Sequence, residues 1–210
     1  MKNVIPFLFI SFILGGCSIV AKTPEPSWSS VKKEGNIEIR SYDPMIVAET
    51  TTTGKRSEAI NDGFRILAGY IFGGNAGQKS IEMTAPVTQQ SGTPEGEKIA
   101  MTAPAIQEAG NKQNEWKVRF VMPAKYSLIS LPQPNDERIK FIEVPAYRAV
   151  VIRFSGFNTD NNLAARKAEL MEWIKDNKIK TEGDPIYAFY NPPWTPPFMK
   201  RNEVMVKILD

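Results

Sequence analysis

The residue types that most often carry chemistry are scarce in this chain. Its 210 residues include no histidine, and the one cysteine is Cys17. The absence of histidine removes the commonest general base and the commonest ligand for zinc or haem iron together. Ser-His-Asp and Cys-His catalysis, zinc hydrolysis and dithiol redox chemistry all lack their central residue. Carboxylate pairs such as Glu169 and Glu172 exist, but three residues apart on a charged helical stretch they read as a solvated face. The run "GGNAGQKS" (Gly73–Ser80) is a phosphate loop only superficially. Gln78 stands where the motif needs glycine before Lys79, and the run follows a helix rather than a strand. No catalytic residue and no metal site is therefore expected, and the protein reads as a non-enzyme.

Cys17 has a different use. The opening "MKNVIPFLFISFILGG" places one lysine before an apolar run from Val4 to Leu14, the order of a secretory signal and too short to span a bilayer as a helix. It ends in Leu14-Gly15-Gly16-Cys17, which looks like a bacterial lipobox, in which the cysteine is diacylated and becomes the mature N-terminus. The competing reading is a plain secretory signal followed by chance by a cysteine. With Cys17 lipidated, no thiol is left for a disulfide, so stability must come from the core. Ser18 after the cysteine resembles the signal for outer-membrane delivery, so the expected location is the bacterial cell envelope, on the periplasmic side of the outer membrane. The chain carries 26 basic and 23 acidic residues, interspersed without a basic block, so no nucleic-acid partner is expected.

One cluster remains that could recognise a ligand. "YAFYNPPWTPPFMKRNEV" (Tyr187–Val204) concentrates aromatics, a methionine and four prolines beside Lys200-Arg201. Rigid aromatics next to two cations suit a lid over a flat apolar ligand bearing carboxylates. The same side chains would equally serve as a plug for one end of a barrel.

The elements that position this cluster follow from periodicity. Residues 1–16 read as the signal, 17–35 as a lipidated tether rich in Pro, Ser and Lys, and 36–210 as one domain. "IEIRSY" and "MIVAETTTTG" are strands joined at Asp43-Pro44. Ile60, Phe64, Leu67 and Ile71 form an apolar helical stripe within Lys55–Gly73. Further strands are expected at Ser80–Val87, Lys98–Ala105 and Glu115–Pro123. The word Met-Thr-Ala-Pro occurs twice, at Met83–Pro86 and Met101–Pro104, which suits neighbouring antiparallel strands ended by prolines. Ile139–Gly156 then aligns without gaps on Ile37–Gly54. A second helix follows, with Thr159 as N-cap and Leu163, Leu170, Met171 and Ile174 on one side, and two last strands close the chain. The fold class is α+β: a pseudo-duplicated, mostly antiparallel distorted β-barrel flanked by two α-helices.

The words "KIAMTAPA" and "IEMTAPV", the helix end "AGYIFGGN" and the block "NPPWTPPFMKRNEVMV" resemble the SOUL family of haem-binding proteins, over roughly Asn36 to Asp210. The resemblance implies a duplicated distorted barrel with two helices, similar in shape to the small-molecule-binding domains of some bacterial regulators. It also implies binding of haem or another tetrapyrrole in a shallow apolar groove beside the first helix. Carried onto this sequence, that groove runs along Asn61, Phe64, Arg65, Ala68 and Gly69, with Trp194, Phe198 and Met199 opposite. The chain departs from the family's histidine-ligated branch, so the implied binding is non-covalent and not histidine-ligated. Met83 and Met101 read as core filler, and Met199 is the better candidate for iron. The expected partners are a small flat apolar ligand and, through Cys17, the membrane, with the protein a monomer. A structural or protein-interaction lipoprotein with a degenerate groove, or a binder of another small apolar ligand, is the alternative.

Overall fold

The computed structural model describes residues 25–76, 103–110, 114–191 and 194–209. Cys17 with its signal, the expected strand at Ser80–Val87, the first Met-Thr-Ala-Pro word and the Met-Thr of the second lie outside these residues, as do Pro192 and Pro193.

The described strands are β1 (Trp28–Glu34), β2 (Ile37–Tyr42), β3 (Met45–Thr53), β4 (Asn75–Ala76), β5 (Ala105–Ala109), β6 (Glu115–Val121), β7 (Gln133–Pro134), β8 (Lys140–Val144), β9 (Tyr147–Phe154), β10 (Thr181–Phe189) and β11 (Asn202–Ile208). Helix α1 spans Arg56–Ile71 and α2 spans Asp160–Asp176. Nine strands form one antiparallel ladder in the order β1-β2-β9-β11-β10-β5-β6-β3-β8, and β4 pairs with β7 apart from it. Among the described residues the ladder is open: β1 and β8 are its two ends.

The duplication is written into the hydrogen-bond register. The gapless match of Ile139 on Ile37 is an offset of 102 positions. Moving the β3–β8 pairs Val47↔Ile142 and Ala48↔Phe141 by that offset lands on Ala149↔Arg40 and Val150↔Ile39, both real pairs of β9 with β2. The opening strand of each half thus pairs in the other half's sheet. The pseudo-two-fold axis passes between β5 and β10, where Gln107 faces Tyr187. Gly54 and Gly156, matched by the same offset, both have left-handed φ, +126° and +109°, a conformation that side chains resist.

Each helix covers one half of the sheet's outer face. Leu67, Tyr70 and Ile71 of α1 pack on Ala48, Val118 and Phe120, while Leu163, Leu170 and Ile174 of α2 pack on Val150, Ile152, Val204 and Val206. The opposite sheet face curls on itself, so that Tyr42, Val47, Ile106, Val121, Ala149, Val151, Ile186 and Met205 form one internal cluster. Thr159 caps α2, its Oγ1 accepting from the Asn162 amide at 3.3 Å.

Three local expectations shift. Trp28–Glu34, read as part of the tether, is a strand paired to β2, and Trp28 lies 4.1 Å from the Arg40 guanidinium. Of the strand expected at Lys98–Ala105, residues 98–102 lie outside those described, and β5 begins only at its expected last residue, Ala105. The buried face of α1 is Ala59, Gly63, Leu67, Tyr70 and Ile71, rotated from the expected stripe, so Phe64 moves to the rim. Gly63 is the cause: a Cβ there would meet Val118 Cγ2 at 2.5 Å, so the helix lies too close to the sheet at that residue to carry a side chain.

Candidate functional site

Rotation of α1 decides what its surface offers. Phe64 is 39% exposed and rests edge-on against Phe120, ring centroids 5.2 Å apart. Asn61 is exposed and Ala68 half-buried, and helical geometry puts both on the same flank as Phe64. Gly69 lies around the helix on the other flank. There Arg65, Ile66 and Gly69 line a shallow depression of about 660 Å³ with Asn135, Asp136, Glu137 and Arg138. No atom stands within 4 Å of a Cβ added at Gly69. The exposed Arg65 guanidinium donates to Asp62 at 3.2 Å. The five expected groove residues are thus divided by the crest of the helix, Phe64 with Asn61 and Ala68 on one side, Gly69 on the other, and Arg65 between.

The proline-rich loop is held by the other half of the molecule. The Gly156 amide donates to Pro197 O at 2.9 Å, Asn202 Nδ2 donates to Gly156 O at 2.9 Å, and Lys200 Nζ sits 5.5 Å from the Phe157 ring. The loop closes on itself through the Arg201 amide, which donates to Asn191 Oδ1 at 2.6 Å. Trp194 (84%), Phe198 (79%), Met199 (63%) and the neighbouring Phe157 (59%) all face solvent. They do not plug the barrel end. By the pseudo-symmetry this loop occupies, beside α2, the place of the β5–β6 connection beside α1, where the Gly54 amide donates to Asn114 O at 2.9 Å.

Sequence reasoning missed the polar interior. Glu203 is fully buried. It accepts from Arg40 Nη1 and Nη2 at 2.9 and 3.2 Å, from the Tyr190 hydroxyl at 2.7 Å and from Arg201 Nε at 3.0 Å. Arg40 also donates to Glu38 at 2.8 Å, and Arg201 to Glu25 at 2.9 Å. Burial would lower the Arg40 pKa, but the Glu203 carboxylate prevails and raises it. Burial pushes the Tyr42 hydroxyl up to about 12 and drives Tyr190 higher still, with the Glu203 charge adding to it. Both carboxylate oxygens of Glu203 are satisfied, so this network fastens strands and the loop base together. The signal was present in "RNEV": each of its three polar residues ties the loop down.

The more enclosed depression, about 650 Å³, is lined by none of the eight expected groove residues. Met45, Ile46, Val121, Met122 and Tyr126 line it with Glu25, Asp43 and Glu143. Among the described residues, no cluster of three metal-ligating side chains occurs, and no helix is long and apolar enough to cross a membrane.

The family model for the SOUL heme-binding protein matches residues 23–207. The chain belongs to the SOUL family. Comparison with curated proteins gives no match. Among solved structures, the SOUL chain is similar to the C-terminal domain of EcmrR, at 14% identity and a TM-score of 0.59, covering 83% of this chain and 97% of that one. It also resembles EcmrR in a DNA complex, at 15% identity and a TM-score of 0.55, covering 82% of this chain and 56% of that one. A hydrolase from Listeria innocua aligns at 9% identity with a TM-score of 0.50, over 85% of this chain and 94% of that one. Identities this low establish a shared fold alone. Membership of SOUL gives binding of haem or a tetrapyrrole as the family-level function, a binding rather than an enzymatic one.

Proposed function

We propose that the protein is an envelope lipoprotein, anchored through diacylated Cys17 on the periplasmic side of the outer membrane, whose domain binds haem or a related tetrapyrrole non-covalently. The observation that carries the binding reading is Phe64, a large aromatic left partly exposed at mid-helix, braced by Phe120 and followed by the exposed Arg65. A porphyrin face laid on Phe64 and Ala68 buries apolar surface, and Arg65 supplies a cation for a propionate. Trp194, Phe198 and Met199, on the loop beside α2, present a second exposed surface of aromatic and thioether groups. Each large side chain covered contributes roughly 1.5–3 kcal/mol, and a few reach the approximately 8 kcal/mol of micromolar binding.

The residues present fit the apolar body of such a ligand better than its iron. The chain has no histidine, and the Tyr70 and Tyr190 hydroxyls already donate to Pro132 O and Glu203. The Met199 sulfur, on the exposed loop, is the best-presented candidate among the described residues. Bound, the group would supply its own iron chemistry, and the protein's part is to hold and shield it.

Titration of hemin into the lipid-free domain should shift the Soret band. Phe64→Asp should weaken binding by about tenfold or more, since a carboxylate would replace the apolar contact. An unchanged spectrum at saturating hemin would favour a structural or interaction lipoprotein instead.

A further inference from the structure

Large apolar side chains exposed elsewhere on the described surface stand singly or in pairs, such as Phe72 or Leu128 with Ile129, which is ordinary for a protein surface. On the loop, Trp194, Phe198 and Met199 are all exposed, and the exposed Phe157 is brought to it by the Gly156 amide on Pro197 O and by Lys200 over its ring. Trp and Phe beside a lysine is the composition that settles at a lipid–water boundary, where the rings enter the headgroup layer and the ammonium stays at the phosphates.

The geometry also says which surface is near. Arg201, at the base of this loop, grips Glu25 with Nη1 donating to both carboxylate oxygens at 3.0 and 2.9 Å. Glu25 is the first described residue, eight positions after Cys17. Eight residues reach about 25–30 Å when fully extended. The described chain thus begins at a residue paired with the base of the aromatic loop. We infer that Trp194, Phe198, Met199 and Phe157 form a seat that lays this end of the domain on the bilayer holding its anchor. The inference rests on the anchoring reading above. It adds to the binding reading that membrane-dissolved tetrapyrroles would meet the loop without crossing water.

The test uses the full acylated chain reconstituted in phosphatidylethanolamine–phosphatidylglycerol vesicles carrying lipids brominated at shallow or deep acyl positions. Tryptophan quenching is compared between the native protein and Trp194→Phe. Shallow bromines should quench the native protein, and the substitution should remove about half or more of that quenching, because an interfacial ring lies within reach of them. A protein that floats with the vesicles but is quenched equally with and without Trp194 overturns the seat alone. Floating without quenching, together with cross-linked dimers, assigns the patch to a second copy and also overturns it. A chain that carries no acyl mass on Cys17 and fails to float overturns the anchor and the seat together, while leaving hemin binding intact.

Discussion

At the scale of single residues, the interior is held by charges and phenols rather than by hydrocarbon alone. Arg40, Glu38, Tyr42, Tyr190, Arg201 and Glu203 satisfy one another inside the curled sheet. The cost of burying Glu203 is met only while each partner stays in place. The phenols give this a pH signature. Burial raises Tyr42 to about 12, raises Tyr147, with the Tyr42 charge adding, and raises Tyr190. Unfolded phenols ionise near pH 10, whereas the folded ones keep their protons. The unfolded chain therefore binds fewer protons above that pH, and stability must fall as pH rises, by up to about 1.4 kcal/mol per pH unit per tyrosine. Below about pH 10 the contribution is fully present. Urea unfolding should show a flat midpoint to about pH 9.5 and a decline beyond it, with phenolate absorbance from these tyrosines arriving together with unfolding. Phenolate absorbance from more than three of the six tyrosines in a still-folded protein would contradict this.

At the scale of elements, the instructive case is α1. The sequence stripe Ile60–Phe64–Leu67–Ile71 identifies a helix correctly but points its face too far round. Hydrophobic periodicity weights side chains and gives no weight to Gly63, which lies against Val118 of β6. Gly63→Ala tests this directly. A methyl 2.5 Å from Val118 Cγ2 must push the helix outward, and a loss of about 1–3 kcal/mol is expected in chemical denaturation, despite alanine's better helix propensity. An unchanged or higher stability would show that Val118 simply moves aside. β1 escaped sequence reading for a related reason. Six of its seven residues are exposed, so it has no apolar face to betray it, and Trp28, over Arg40, is its one half-buried residue. The candidate binding surface was legible in kind, as aromatics on α1 and on the proline-rich loop. Its division by the helix crest was not, because five positions in a row of text carry no record of which flank each occupies.

At the scale of the whole molecule, the repeat was readable and its meaning was not. Pattern alone aligned Ile139–Gly156 with Ile37–Gly54, and the strand registers and paired left-handed glycines agree with that offset. No pattern in the text revealed that β2 and β8 change places between halves. Alternation in "IEIRSY" suggests one wet face, yet Glu38 and Arg40 are buried, because α2 covers one side of β2 and the curled sheet encloses the other. The exchange makes the halves interdependent. Fragments 25–130 and 131–209 should each lack stable structure by circular dichroism, and mixing them should restore it. A fragment that folds alone with a cooperative transition would show that the exchange is dispensable.

The exchange also sets a timetable for synthesis. β2 ends at Tyr42, and its partner β9 begins only at Tyr147. At roughly 5–20 residues per second, the ribosome takes some 5–20 s to make that intervening chain. Throughout that interval one edge of β2 has no native neighbour. A chain arranged in this way leaves its sheet incomplete until its last third arrives.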